Sequence, residues 1–225
     1  MSRVFAITTL FALACAASNA IAGSATLGDV TVNLPPPTGF CELSDKNPSD
    51  HRMLTVISGL LAKSGNKLLD FSADCRQLAE WRASKRQLLD DYAQYQTAIA
   101  GMDKPPTETI QETCTTLRAE GDKILSNQMP DIKKRVEAAL KNTKMGQASF
   151  LGVLAEDTNV CYTGLLQQIH TEANTDKTQV TVFAITIVKN RSIFVYRFAV
   201  YTGSDSIDAA LVKLKSDAAA LRAAN

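Results

Sequence analysis

Two histidines, a serine three residues ahead of a lysine, five cysteines and one arginine among apolar neighbours are the residues whose chemistry could define a function. His51 follows Asp50 beside a helix start, and His170 closes a strand. A hydrolase would need one of them aligned as base against a nucleophile, and no G-x-S-x-G elbow supplies one. Ser64-Gly65-Asn66-Lys67 matches S-x-x-K, and Lys63-Ser64-Gly65 overlaps it as a K-[ST]-G triad. Penicillin-recognising enzymes carry these motifs on separate elements that converge in space. Overlapping motifs cannot converge, and S-D-N is missing. The stretch reads as a helix stop and turn.

Arg197 shares a strand face with Ile193, Val195, Ala199 and Tyr201, where an unpaired guanidinium is costly. Either an acidic side chain or a ligand anion must satisfy it, and an ion pair is the favoured reading. Trp81, the sole tryptophan, reads as a core or rim residue. Lys133, Lys134, Arg135, Lys141 and Lys144 cluster near Asp131 and Glu137, as on the solvated face of an amphipathic helix. The competing reading is contact with an anionic lipid or envelope polymer. No cofactor motif or metal-ligand spacing stands out, so neither a cofactor nor a metal is expected.

The cysteines depend on the compartment. Arg3 gives a positive start, residues 4–17 are apolar apart from two threonines, and Ala20-Ile21-Ala22 has the A-x-A form of a leader cleavage site. Residues 1–22 are therefore expected to be a signal peptide, with the mature chain, 23–225, a single domain in the periplasm or secreted. The rival is a lipoprotein acylated at Cys15, but Ala12 stands where a leucine is usual. No later run reaches the ~20 apolar residues of a membrane span. Cys41, Cys75, Cys114 and Cys161 remain, and two disulfides in an oxidising compartment are expected of them. Loss of Arg3 leaves 23 Lys+Arg against 23 Asp+Glu, which gives no reason to expect a nucleic-acid partner.

Period-2 and period-3.6 patterns place these residues. "TLGDVTVNL" reads as a short strand or extended arm, broken by three prolines. Phe40 to Leu43 is a further short strand. A helix starts at Asn47-Pro48-Ser49, with Ser49 as its cap, and stops at Gly65. "KLLDFSADC" alternates as a strand. "LAEWRASKRQLLDDYAQYQTAI" is a helix followed by a strand. Over 106–144 two helices are expected, the second beginning at Pro130. "SFLGVLAE" and "VCYTGLLQQIH" pair around Asp157-Thr158-Asn159. "QVTVFAITIVKNRSIFVYRFAVYTG" is a hairpin apolar on both faces, so it must lie inside a sheet covered on both sides. Ile207, Leu211, Leu214, Ala218 and Leu221 then stripe a terminal helix.

This order predicts an α+β fold: an antiparallel sheet with helices on both faces, a long C-terminal hairpin followed by a C-terminal helix, and a two-helix insertion midway. It also prefers Cys41–Cys75 and Cys114–Cys161 pairing, with crossed pairings open. The "LPPPTGFCELS" entry and the "VTVFAITIV…SIFVYRFAVY" hairpin with its helix resemble the PsbP/Mog1-like α/β/α sandwich. The likeness is one of pattern, and 106–144 departs from it. It implies a non-enzymatic accessory or binding role, and the whole looks like a small exported protein of bacteria. The leading expectation is thus an exported, non-catalytic binding or accessory protein of the cell envelope, whose partner is a protein or envelope component. The alternative is a small envelope hydrolase using His51 or His170 as base. Intact-mass measurement of the exported chain is expected to give an unlipidated product beginning at Gly23. A mass beginning at acylated Cys15 would reverse that.

Overall fold

Alternating apolar residues build most of the chain into sheet in the computed structural model, which describes residues 23–140, 143–171 and 176–225. The leader, with Cys15, and Lys141 lie outside the described residues. In chain order the elements are β1 (Gly23–Leu27), β2 (Val30–Leu34), β3 (Phe40–Glu42), α1 (Pro48–Lys63), β4 (Asn66–Asp74), α2 (Cys75–Arg82) and β5 (Tyr92–Ala98). They continue with α3 (Ile110–Ala139), β6 (Thr143–Asp157), β7 (Val160–Thr171), β8 (Asp176–Val188), β9 (Arg191–Val200) and α4 (Ser204–Ala223). Seven strands form one antiparallel sheet in the order β3-β4-β5-β9-β8-β7-β6, and β1 and β2 pair apart from it. The class is α+β, with helices on both faces.

The β8–β9 hairpin turns at Lys189 and Asn190, both with positive φ, and lies among the inner strands. On one face Val180, Val182, Ala184, Ile193 and Val195 meet Ala210, Leu214, Ala218 and Leu221 of α4. Leu27, Val32 and Leu34 of the β1–β2 hairpin complete that core and are wholly buried. Residues 23–34 are thus two strands where one strand or arm is expected from the sequence. Gly28, at φ +65°, makes the reversal that alternation alone does not reveal.

On the other face α1 and α2 cover β3 and β4, where Met53, Leu54 and Ile57 pack with Phe71, Ala73 and Leu78. Helix α3 lies along β6 and β7, and Ile110 and Cys114 pack with Cys161, Ile185 and Ile187. The disulfides Cys41–Cys75 and Cys114–Cys161 join β3 to α2 and α3 to β7. The cap of α1 is Asn47 rather than Ser49: its Oδ1 accepts from the amides of Ser49 and Asp50, and Pro48 occupies the first turn.

The two-helix insertion is corrected to one 30-residue helix that runs through Pro130. A capping box of Thr109 and Glu112 starts it, and it continues through Gly121 and Pro130 alike. Proline's φ suits a helix, and its missing N–H leaves the carbonyl of Ser126, on an exposed residue, to water. Further back, the buried Gly121 lets α3 close on β6. A Cβ there would sit 2.1 Å from Cε1 of Phe150. Gly121→Ala is expected to lower stability by about 1–2 kcal/mol, overpacking outweighing the roughly 1 kcal/mol gain in helix propensity. Denaturant unfolding checks it, and adding Phe150→Leu should restore the loss.

Candidate functional site

Arg197 is 5% exposed, and its Nε donates to Oδ2 of Asp217 on α4 at 2.6 Å. Asp91 lies 3.6 Å from its Nη1, and the guanidinium covers the Phe40 ring at 4.5 Å. Burial pushes the Asp217 carboxyl up, and Arg197 pulls it back down. Asp91, Ala199, Thr202, Asp205 and Lys213 line a pocket of about 340 Å³ beside it. The guanidinium is therefore committed to carboxylates of its own chain, and Lys213, the other cation lining this pocket, faces Asp91 at 3.9 Å.

His51 Nδ1 lies 3.4 Å from Asp45, and His170 Nδ1 lies 2.7 Å from Asp176, both at exposed element ends. Neither hydrogen-bonds a serine among the described residues, so neither forms a base–nucleophile pair. Ser64 Oγ donates to the Leu60 carbonyl and closes α1. Trp81 packs at the edge of the α1–α2 core. Lys133 and Lys134 are exposed, but Arg135 is half-buried and donates to the Lys63 carbonyl, tying α3 to α1. Lys144 faces Glu137 at 3.8 Å. Among the described residues no group of His, Cys, Asp and Glu could hold a metal.

The arrangement with most scope for binding lies elsewhere. Helices α1 and α2 wall one side of the second sheet face and α3 walls the other. β4 and β6 are five strand positions apart, about 24 Å along the sheet, so the central strands lie between the walls even though α3 reaches α1 near Arg135 and Lys63. The central strands fill the interval with a row of rings. Tyr92 pairs in register with Phe198, Gln94 with Tyr196, Gln96 with Phe194, and Phe183 with Tyr196. Tyr92 stacks on Phe198 at 4.3 Å and 12°, and Phe183 on Tyr196 at 5.0 Å and 24°. Tyr196 and Phe198 are 6.0 Å apart at 16°. The near-parallel rings of Tyr92, Phe183, Tyr196 and Phe198 are all half-buried.

Amides and hydroxyls flank the rings. Gln96 Nε2 donates to Gln94 Oε1 at 2.7 Å, and Tyr92 donates to Gln179 Oε1 at 3.4 Å. The Tyr196 hydroxyl and the Gln94 amide nitrogen have no protein partner among the described residues. Burial pushes the phenols of Tyr92 and Tyr196 up to about 12, so both remain neutral donors. Among the described residues no charged side chain stands on this floor. The charges are at its margins: Lys177 paired with Asp90 beside Tyr92, and Arg135 where α1 meets α3 over a pocket of about 610 Å³. The rings turn their faces to one another, so the row offers apolar ring edges flanked by hydrogen-bonding amides and hydroxyls. Sequence reading passed over it, although alternating Phe194, Tyr196 and Phe198 beside alternating Tyr92, Gln94 and Gln96 is a signal of it.

No family model and no curated protein matches the chain. It is similar in structure to the Saccharomyces cerevisiae Ran-binding protein Mog1p, with 9% identity over 89% of each chain and a TM-score of 0.32. That weak likeness in fold bears on no residue of the site.

Arg197→Leu is expected to cost about 3–5 kcal/mol, because Asp217 would be left buried without its partner. Arg197→Leu combined with Asp217→Leu should regain most of that. Urea unfolding of the three chains measures both values, and a single variant as stable as wild type would show that the pair does not fasten α4.

Proposed function

We propose that this chain is an exported, non-catalytic binding protein of the cell envelope, and that its floor of parallel rings takes a neutral glycan segment. The observation that carries the reading is the row Tyr92, Phe198, Tyr196 and Phe183 with the unpartnered Tyr196 hydroxyl and Gln94 amide beside it. Sugar rings present flat C–H faces and a rim of hydroxyls. The apolar edges of the stacked row accept the first, and amides and phenols pair with the second. An uncharged floor disfavours ionic ligands, whose desolvation it could not offset.

Export is supported by the A-x-A leader and by two disulfides, which persist in oxidising compartments. No helix among the described residues is long and apolar enough to cross a membrane. An accessory role is supported by rigid walls around the floor, since each is anchored by one disulfide.

Titration calorimetry with chitohexaose and cellohexaose, and with polygalacturonate as a charged control, tests the reading. Binding of a neutral oligomer is expected, weakened at least about tenfold by Tyr196→Ala or Phe198→Ala, as loss of one stacking ring implies. Binding of the polyanion alone, or neutral binding indifferent to both variants, would overturn it.

A further inference from the structure

The first nitrogen of β1 lies against two carboxylates. Gly23 N donates to Glu42 Oε1 at 3.1 Å. A Cβ on Gly23 would lie 3.3 Å from that oxygen and 3.7 Å from Asp70 Oδ1, so both acids crowd the first residue of β1. Glu42 pairs in register with Ser72, and Asp70 lies two residues before Ser72 on the same strand. Asp70 Oδ2 and Ser72 Oγ are buried without a hydrogen-bond partner. Among the described residues no lysine or arginine reaches either acid, and the other groups facing Asp70 are the neutral Tyr95 and the amide of Phe71. Burial and then Glu42 push the Asp70 carboxyl up to about 7. This is a half-buried acid pair with no cation among the described residues. One amide proton from Gly23 serves Glu42, and Asp70 Oδ2 has no donor.

We propose that Glu42 and Asp70 form a receptor for the α-ammonium of Gly23, created when the bond between Ala22 and Gly23 is cut. A leader peptidase adds water across that bond, leaving a carboxylate on Ala22 and an amine on Gly23 that takes up a proton at neutral pH. The nitrogen then has three N–H donors instead of one. One remains on Glu42 and another turns to Asp70, and the positive charge neutralises the pair. Cleavage thereby adds an ionic fastening of β1 to β3 and β4 to a core that Leu27, Val32 and Leu34 already complete.

The sign of the pH dependence follows. With an uncharged nitrogen at Gly23, stability falls as pH rises from about 4 to about 7, because folded Asp70 keeps its proton longer than unfolded Asp70. With the ammonium, the pair gains strength over that same range. It is lost only as the amine deprotonates, above the ordinary value of about 7.7–8.0.

The test compares the processed chain bearing a free Gly23 amine with the same chain acetylated there, by thermal unfolding from pH 4 to 10. The free chain is expected to melt at least about 2–4 °C higher near pH 6.5, the shift that a modest ion pair produces in a chain of this size. The gap should close by pH 10 and vanish in the Glu42→Gln, Asp70→Asn chain. NMR titration of the Gly23 amine should place its pKa above the ordinary range, which decides the matter even if that double variant fails to fold. Equal melting of free and acetylated chains, a gap independent of pH, or an exported product that begins elsewhere than Gly23 would each overturn the proposal.

Discussion

Val182 and Phe183 are neighbours in sequence and point to opposite faces of the central hairpin, so neither face of that hairpin can be left to water. Val180, Val182, Ile193 and Val195 are at most 1% exposed, and each contributes roughly 1.5–3 kcal/mol by burial. The other elements take their places from this requirement. Helix α4 follows β9 directly and folds back over the near face, since its stripe has the right period and no other apolar surface is within reach. The far face cannot be covered by the same helix. It draws on α1 and α2 from one side and α3 from the other, and these must travel from the two edges of the sheet toward the middle.

That difference in supply gives the faces different characters. The α4 face is aliphatic, closed, and capped by the β1–β2 hairpin. Arg191 holds that hairpin through Asp29 at 2.7 Å, and Asn33 holds it through Asn225. The opposite face is closed at its edges and carries rings, glutamines and threonines at its centre. An aliphatic centre there would be a hydrophobic patch with nothing to cover it. Tyrosine and glutamine tolerate both water and a partner, so the composition of β5 and β9 on this face suits a surface that is intermittently occupied.

The sheet, the two-sided hairpin and the terminal helix were legible because period-2 and period-3.6 patterns survive in "VTVFAITIV" and in Ile207 to Leu221. The disulfide pairs were legible from the order of the elements. What was hidden has physical reasons. Pro130 is a breaker by propensity, but an exposed carbonyl at Ser126 makes its lost hydrogen bond cheap. Asp50 looks like a capping acid, yet it is wholly buried and accepts from Arg82 and the Ser44 amide, joining α1, α2 and the β3 loop. No local pattern reports a partner 32 residues away. The ring row and the Glu42–Asp70 pair are hidden for the same reason, because each arises only when strands distant in sequence are laid in register.

The disulfides show how scaffold and site are coupled. Cys41–Cys75 spans 34 residues and Cys114–Cys161 spans 47, and closing loops of these lengths removes unfolded-state entropy worth about 4 kcal/mol each in the chain-entropy model. Both bonds lie at the walls of the ring floor, and neither touches the α4 core. Burial stabilises the α4 face without help. The opposite face has a partly polar centre and correspondingly less apolar area to bury, so its helices need another source of stability. Covalent bonds supply it without filling the space between the walls. A reducing environment would therefore loosen the walls of the floor before it loosened the core, which ties the integrity of the proposed site to an oxidising compartment.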